Sequence, residues 1–133
     1  MKPIIEFEGY TVQHLLVNSI DFDDELIELS DNEPLSIKVK HGISDDKLTA
    51  GLIVNVILFS KEIDKKIDIS VEGVFTINEE FSKEDTKSIE RALRVNGTAI
   101  LYPYIRSMVS MVSSFDSSSA VVLPALNTKI FNN

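Results

Sequence analysis

The sequence predicts an α+β fold: a four-stranded antiparallel sheet with a short and a long helix packed on one face. Two observations lead to this prediction. The first three-quarters of the 133 residues alternate polar with apolar side chains and are rich in β-branched residues, as strands are. Helical spacing begins only near residue 82, after the strands. Strands followed by helices along one chain are typical of an antiparallel sheet that carries its helices on one face.

Four runs of residues account for the four strands. Residues 5–19 form an extended run in which the apolar phase shifts at Gly9, and this shift predicts a bulge. Residues 35–40 alternate as a half-buried strand does. Residues 48–60 are apolar on both sides, which predicts a central strand covered on both faces. Residues 67–78 show the clearest alternation of all.

Two helices are expected after the strands. Ser82 is a good N-cap for a short helix over residues 83–95, and Asn96-Gly97 is expected to end that helix in a left-handed cap. A long helix then occupies the run 97–115, with Thr98 as its cap.

The long helix carries two unlike faces. Its apolar residues recur at spacings of four and three and so share one side: Leu101, Ile105, Met108, Val112 and Phe115. The other side carries Ser107, Ser110 and Ser114 where a surface helix would carry Lys and Glu, and Arg106 is its one charge. This pattern predicts contact on both sides, with the sheet on one and another subunit or a ligand on the other. An ordinary core helix is the alternative.

Length and composition predict a single domain over residues 1–133. The absence of cysteine excludes disulfide frameworks, thiolate zinc sites and cysteine nucleophiles. We expect a cytoplasmic protein without direct membrane insertion, because we see no leader and no apolar run that could cross a bilayer. The net charge of −8 disfavours nucleic acid as a partner, since an acidic surface repels phosphate.

Catalytic and metal-binding patterns are missing from the sequence, so we predict a protein that is not an enzyme and that needs no cofactor or metal. His14 and His41 are the only histidines, and neither has a second ligand at a metal-type spacing. The acidic run 21–33 starts like a calcium loop, but Leu26 and Asn32 occupy the positions that need Gly and Glu. We expect Arg106 to pair with an acidic neighbour.

Two local motifs and the order of elements are similar to those of the SecB family of export chaperones. The run ILYPYIR at 100–106 resembles the start of that family's long helix, and VLPALN at 122–127 resembles its Leu-Pro-Asn segment. The run VFTI at 74–77 resembles the end of its fourth strand. The chain departs from the family after the long helix, where it has Asp-Ser-Ser-Ser at 116–119, and it lacks the polar, sometimes zinc-binding tail.

The resemblance implies an ATP-independent molecular chaperone with a single SecB-like domain, which binds unfolded or export-destined polypeptides in apolar grooves. It implies a homotetramer, a dimer of dimers packed partly through the long helices, with Ser107, Ser110 and Ser114 at the oligomer interface. It also implies an acidic sheet surface that meets the translocase motor SecA. The implied client-binding groove consists of Tyr104, Met108, Met111, Phe115, Val121 and Leu123.

Two alternatives stay open at this point. A solitary or toxin–antitoxin-associated SecB-like accessory protein would share the fold and have an antitoxin as its partner. A small-ligand-binding or enzymatic domain, with its sheet wrapped around a helix, would need a polar group converging on a pocket between the sheet and the long helix. Arg106 is the one plausible group for that role.

Overall fold

A computed structural model of the chain describes residues 3–20, 35–61, 64–83, 85–115 and 122–131. Four antiparallel strands form one sheet in the spatial order β1-β4-β3-β2. The strands are β1 (Ile5–Ser19), β2 (Leu35–Ile43), β3 (Thr49–Ser60) and β4 (Lys65–Ile77). This architecture, completed by helices on one face, confirms the predicted α+β fold.

The helical part runs without a break from Thr86 to Ser113. It consists of α1 (Thr86–Arg91), a π-helical segment (Ala92–Gly97) and α2 (Thr98–Ser113). Short 3₁₀ turns at Glu79–Phe81 and Thr128–Phe131 flank it along the chain. None of the described helices has both the length and the apolar content needed to cross a bilayer.

The predicted start of the short helix and the predicted break between the two helices were both wrong. The N-cap of α1 is Asp85, whose carboxylate accepts a hydrogen bond from the Lys87 backbone N–H at 3.1 Å. Ser82 instead donates its hydroxyl to the Glu79 carbonyl and closes the preceding 3₁₀ turn. Gly97 has right-handed helical angles (φ −62°, ψ −43°), so it neither ends a helix nor leaves Thr98 at an N-terminus.

Gly97 has a packing reason to be glycine. A Cβ atom there would lie 2.9 Å from the Leu52 Cδ2 atom on β3. Gly73 on β4 is in the same position opposite α2, because its Cβ would lie 2.8 Å from the Leu101 Cδ1 atom. The helix therefore lies so close to the sheet that only glycine fits at these two contacts.

The core lies between α1–α2 and the inner faces of β3 and β4. Fully buried side chains include Val54 on β3, Phe75 on β4 and Ile105 on α2. The prediction that β3 is covered on both faces was wrong for this chain. Its outer residues, such as Ile53 and Ile57, are only half-buried, because side chains of the neighbouring strands cover them while none of the described helices does.

Candidate functional site

One flank of α2 turns apolar side chains toward the edge strand β1. The helical spacing places Tyr104, Met108 and Met111 on this flank, at i, i+4 and i+7, and Phe115 follows just after the C-cap of α2. Tyr104 is 40 % exposed, Met111 58 % and Phe115 73 %. This surface therefore carries large apolar side chains in contact with water.

The aromatic residues of β1 complete this surface. The ring of Tyr10 lies 4.7 Å from that of Tyr104, centroid to centroid, and the ring of Phe7 lies 6.0 Å from it. Phe7 also contacts the buried Phe75 at 5.6 Å, which ties the exposed aromatic residues to the core. Centroid separations of this size are those of favourable aromatic pairs.

Two bulges in β1 aim these residues inward. The pairing with β4 shifts between Phe7 and Gly9, as the sequence predicted, and again between Val12 and His14. After the first shift Tyr10 and Val12 lie opposite Gly73 and Val71, on the helix-bearing face of the sheet. Among the described residues the helices cover this part of β1 only in part, through Tyr104, so Tyr10 and Val12 stay about two-fifths exposed.

We call the resulting patch the β1–α2 surface. Its members are Tyr10, Val12 and Val17 of β1, Tyr104, Met108 and Met111 of α2, and Phe115 just beyond the end of α2. The sequence pointed to the α2 members but missed those of β1. The phase shift at Gly9 was the signal that could have found Tyr10 and Val12.

The opposite flank of α2 holds the C-terminal segment 122–127, which we call the strap. The Tyr102 hydroxyl donates to the Pro124 carbonyl at 2.8 Å, and the Arg106 Nε–H donates to the Leu123 carbonyl at 3.1 Å. Burial raises the pKa of the Tyr102 hydroxyl, and the nearby Arg106 charge partly offsets this. Among the described residues the partner of Arg106 is this backbone carbonyl and not the acidic side chain that we expected.

Two residues of the expected client-binding groove lie elsewhere. Leu123 is 1 % exposed, and its side chain points from the strap into the core, where a client cannot touch it. Val121 lies outside the described residues. The other four expected residues share the β1–α2 surface.

The serine side of α2 faces outward. Ser107 and Ser114 are exposed and Ser110 is half-buried. The hydroxyls of Ser107 and Ser114 donate to the carbonyls of Pro103 and Met111 in their own helix, at 3.1 and 2.7 Å. A shallow cleft of about 560 Å³ lies over this side, between Met111 and Val122. Because the hydroxyls are already bonded, this small-residue face can approach another helix without leaving them unpaired.

The outer face of the sheet, away from the helices, carries the main polar network. Asp68 binds both the His14 Nε2 atom at 2.8 Å and the Asn55 amide at 2.9 Å. Partial burial alone would raise the pKa of the Asp68 carboxyl, but the hydrogen bonds from His14 and Asn55 lower it below its ordinary value. The neighbouring Ser70 hydroxyl donates to Gln13 rather than to His14, so these residues do not form a nucleophile–base pair.

The described residues give little support for a small-ligand site or a metal site. Their His, Asp and Glu side chains form no group of three that could hold a metal ion. The contact between sheet and α2 is filled by Leu101, Ile105 and Val109, all fully buried. Arg106, the polar group that a pocket would need, faces the strap instead.

Comparison with known proteins gives a fold and a distant sequence relative. No family model matches the chain. An uncharacterised protein of Methanocaldococcus jannaschii, MJ0357, is 26 % identical over 136 residues, which covers 95 % of this chain and 81 % of that protein.

Solved structures match over nearly the whole chain. The Mycobacterium tuberculosis SecB-like chaperone Rv1957, in complex with a ChAD peptide from the HigA1 antitoxin Rv1956, matches with a TM-score of 0.66 and 12 % identity. That match covers 92 % of this chain and 87 % of the other. A Streptococcus agalactiae protein of unknown function matches with a TM-score of 0.61 and 12 % identity, over 91 % of this chain and 97 % of the other. The chain therefore has the fold of a SecB-like chaperone.

Proposed function

We propose that this protein is an ATP-independent chaperone that binds extended, unfolded segments of other polypeptides on its β1–α2 surface. The observation that carries the proposal is the exposure of this surface. Four of its large side chains are exposed to solvent, although the chain as a whole is acidic with a net charge of −8: Tyr10, Tyr104, Met111 and Phe115. Exposed apolar surface of this kind typically marks an interaction site.

The chemistry of the surface suits varied clients. None of its seven side chains carries a charge at neutral pH, so binding selects for apolar residues and tolerates different sequences. Methionine side chains adapt their shape to the partner, and tyrosine rings add large contact area with few rotatable bonds. Phe7 packs against both tyrosines and is itself supported by the buried Phe75, so the aromatic part of the surface is formed before a client arrives.

An antitoxin or another dedicated client fits the structure better than the translocase motor SecA. The SecB-like chaperone with the similar fold binds an antitoxin peptide. The outer sheet face, where an acidic surface was expected to meet SecA, carries charges of both signs among the described residues. The pairing register, and for Glu8 the hydrogen bond from Thr76, place these charged side chains on it: Glu6, Glu8, Asp68, Glu72, Lys38, Lys40 and Lys66. Such a mixed face attracts a basic partner only weakly.

Homo-oligomer formation belongs to the same proposal. The serine side of α2 is the proposed interface, with Ser107, Ser110 and Ser114 allowing helices of two subunits to approach closely. The β1–α2 surface lies on the neighbouring flank, so Phe115 and Tyr104 stay accessible beside such an interface. A dimer of dimers built this way would hold several client surfaces in one cytoplasmic particle.

The test is suppression of aggregation of a chemically denatured model enzyme, diluted into buffer with and without the protein. We expect suppression by the wild type that ATP does not alter, and several-fold weaker suppression by Tyr104→Asp, which changes the β1–α2 surface and leaves the cleft over the serine side intact. Ile130→Asp is the matched control, because Ile130 is 60 % exposed and lies outside the β1–α2 surface. Equal suppression by the two variants, or none by the wild type in molar excess, would overturn the proposal.

Client range can be measured on the same variants. Polypeptides that co-purify with the wild type from its native host, but not with Tyr104→Asp, are identified by mass spectrometry. One dominant client supports the dedicated role, and many unrelated clients support general export.

A further inference from the structure

One edge of the sheet is open among the described residues. β2 ends the strand order on the side opposite β1, and none of the described strands pairs with its outer side. Ser44 follows β2 directly, and its N–H donates to the Thr49 carbonyl across the hairpin at 3.0 Å. Because backbone groups alternate in direction along a strand, the even-numbered residues of β2 also bond to β3. The odd-numbered residues therefore turn their N–H and C=O groups toward the open edge: Leu35, Ile37, Val39, His41 and Ile43.

β2 is regular enough to pair with a further strand. Its register with β3 runs without a shift from Leu35 to Ile43, and it contains no proline. The other edge strand, β1, is interrupted by two bulges. Among the described residues, the Arg94 guanidinium bonds to one of the outward groups of β2, the Val39 carbonyl, at 3.5 Å. This distance is long for a hydrogen bond, so an incoming backbone N–H can replace the guanidinium.

The charges beside this open edge are basic. Lys38 and Lys40 are exposed on the outer face of β2, two residues apart, and neither ammonium has an ion-pair partner among the described residues. Asp68 and Glu72, described acids of the same face, lie on β4, two strands away. Two strand spacings are about 10 Å, which is close to the screening length in physiological salt. On a chain with a net charge of −8, this edge is therefore a local basic strip.

We propose that the open edge of β2 binds an extended acidic segment of a partner protein as a fifth strand of the sheet. The outward backbone groups supply the hydrogen bonds of strand addition. The two lysines select the strand. A second copy of β2 would place lysine opposite lysine, which is destabilising, whereas acidic side chains at alternate positions would meet both ammonium groups. β1 and β2 are opposite edges of the sheet, so this site is separate from the β1–α2 surface and does not depend on client binding.

The test is NMR titration of the ¹⁵N-labelled protein with a nine-residue peptide in which threonine alternates with glutamate. The matched probe has lysine in place of glutamate. We expect the acidic peptide to shift the outward amides of Ile37, Val39 and His41 more than those of Lys38 and Lys40, which already bond to β3. Equal shifts with the basic peptide, no shift of β2 with the acidic one, or shifts confined to the β1–α2 surface would overturn the proposal.

Methylation of alternate backbone nitrogens of the peptide tests for strand pairing. It removes hydrogen-bond donors from one edge of the peptide only, because the N–H groups of an extended chain alternate in direction. Two acidic peptides, methylated on the threonine or on the glutamate nitrogens, are titrated separately. One of the two should lose binding and the other should keep it. Equal loss in both would contradict pairing as a strand.

A charge-reversal variant, Lys38→Glu with Lys40→Glu, tests the role of the lysines. It should weaken binding of the acidic peptide about tenfold and change the melting temperature little, since both side chains are exposed. Lys83→Glu with Lys87→Glu is the control, because it makes the same change in net charge at two exposed lysines away from β2. This control should bind as the wild type does. Similar losses in the two variants would mean that net charge alone acts, and would also overturn the assignment.

Discussion

Arg106 and Leu123 are joined by a hydrogen bond of 3.1 Å, from the guanidinium Nε–H to the backbone carbonyl oxygen. The only charged side chain of α2 is thus used to hold the strap. The Leu123 side chain is buried in the core. Leu123 is therefore held both by the hydrogen bond to its backbone and by the packing of its side chain. The position of the strap on α2 depends on this hydrogen bond and on the one from the Tyr102 hydroxyl to the Pro124 carbonyl.

Loss of the Arg106 anchor should loosen the strap without unfolding the domain. We expect Arg106→Met to lower the free energy of unfolding by about 1.5 kcal/mol, the lower end for a hydrogen bond from a charged group, because this side chain is only half-buried. Hydrogen exchange by mass spectrometry should show faster exchange in the strap and unchanged exchange in β3 and β4. Arg91→Met is the control, since Arg91 is exposed and has no partner among the described residues. Unchanged exchange in the strap would contradict the anchoring role.

Glycine-to-alanine changes should separate the two faces of the sheet. Gly73→Ala is expected to destabilise the fold by about 1–3 kcal/mol, because its Cβ would lie 2.8 Å from Leu101 and force α2 outward. Gly42→Ala should be neutral or slightly stabilising, since its Cβ meets open space. Urea denaturation of both variants gives the measurement. Similar losses of stability in the two would mean that the close helix–sheet contact is not rigid.

Acid sensitivity should depend on Asp68. Its pKa is lowered from the ordinary value of 3.8, so the folded state binds fewer protons than the unfolded state in this range. The stability that Asp68 contributes is therefore present above pH 3.8 and is lost as the pH falls through the lower folded pKa. Asp68→Asn should reduce stability at neutral pH and flatten its decline in acid. Asp45→Asn, in an exposed turn, is the control and should leave the decline as steep as in the wild type.

The oligomeric state tests the serine side of α2. We expect light scattering after gel filtration to give a multiple of the 14.9 kDa chain mass, and Ser107→Arg to shift the protein toward a smaller species. A bulky charge at a close helix contact costs both packing and desolvation. Ser88→Arg changes another exposed helical serine and should leave the mass unchanged. A wild type that elutes as a monomer would remove the proposed interface.

The sequence was most informative where local pattern and tertiary packing agree. The four alternating runs predicted the four strands, and the phase shift at Gly9 predicted the first bulge, because both are visible in neighbouring residues. The helix stop at Asn96-Gly97 failed for the opposite reason. Glycine commonly ends a helix, but Gly97 is glycine because a larger residue would clash with Leu52 on β3. Leu52 lies 45 positions earlier in the chain, so the local pattern cannot show this contact.

The candidate site was predictable only in part. Tyr104, Met111 and Phe115 follow from helical spacing alone. Tyr10 joins them through the pairing of β1 with β4, which requires knowledge of the sheet order and of the bulge position. The burial of Leu123 could not be predicted, because it depends on hydrogen bonds from Tyr102 and Arg106 that lie some twenty residues away.

The π-helical segment Ala92–Gly97 changes the rotation of α2 about the helix axis relative to α1, so that the apolar sides of both helices face the same core. Leu93 and Leu101 are eight residues apart, so in a regular α-helix they would point about 80° apart around the axis. Both are fully buried here, because the wider turn takes up about one extra residue and brings them back into line. Removal of the exposed Asn96 should therefore turn the segment into ordinary α-helix and still leave both apolar faces on the sheet. The extra residue of the π-helical turn therefore allows one unbroken helix where the sequence pattern predicted two helices with a break between them.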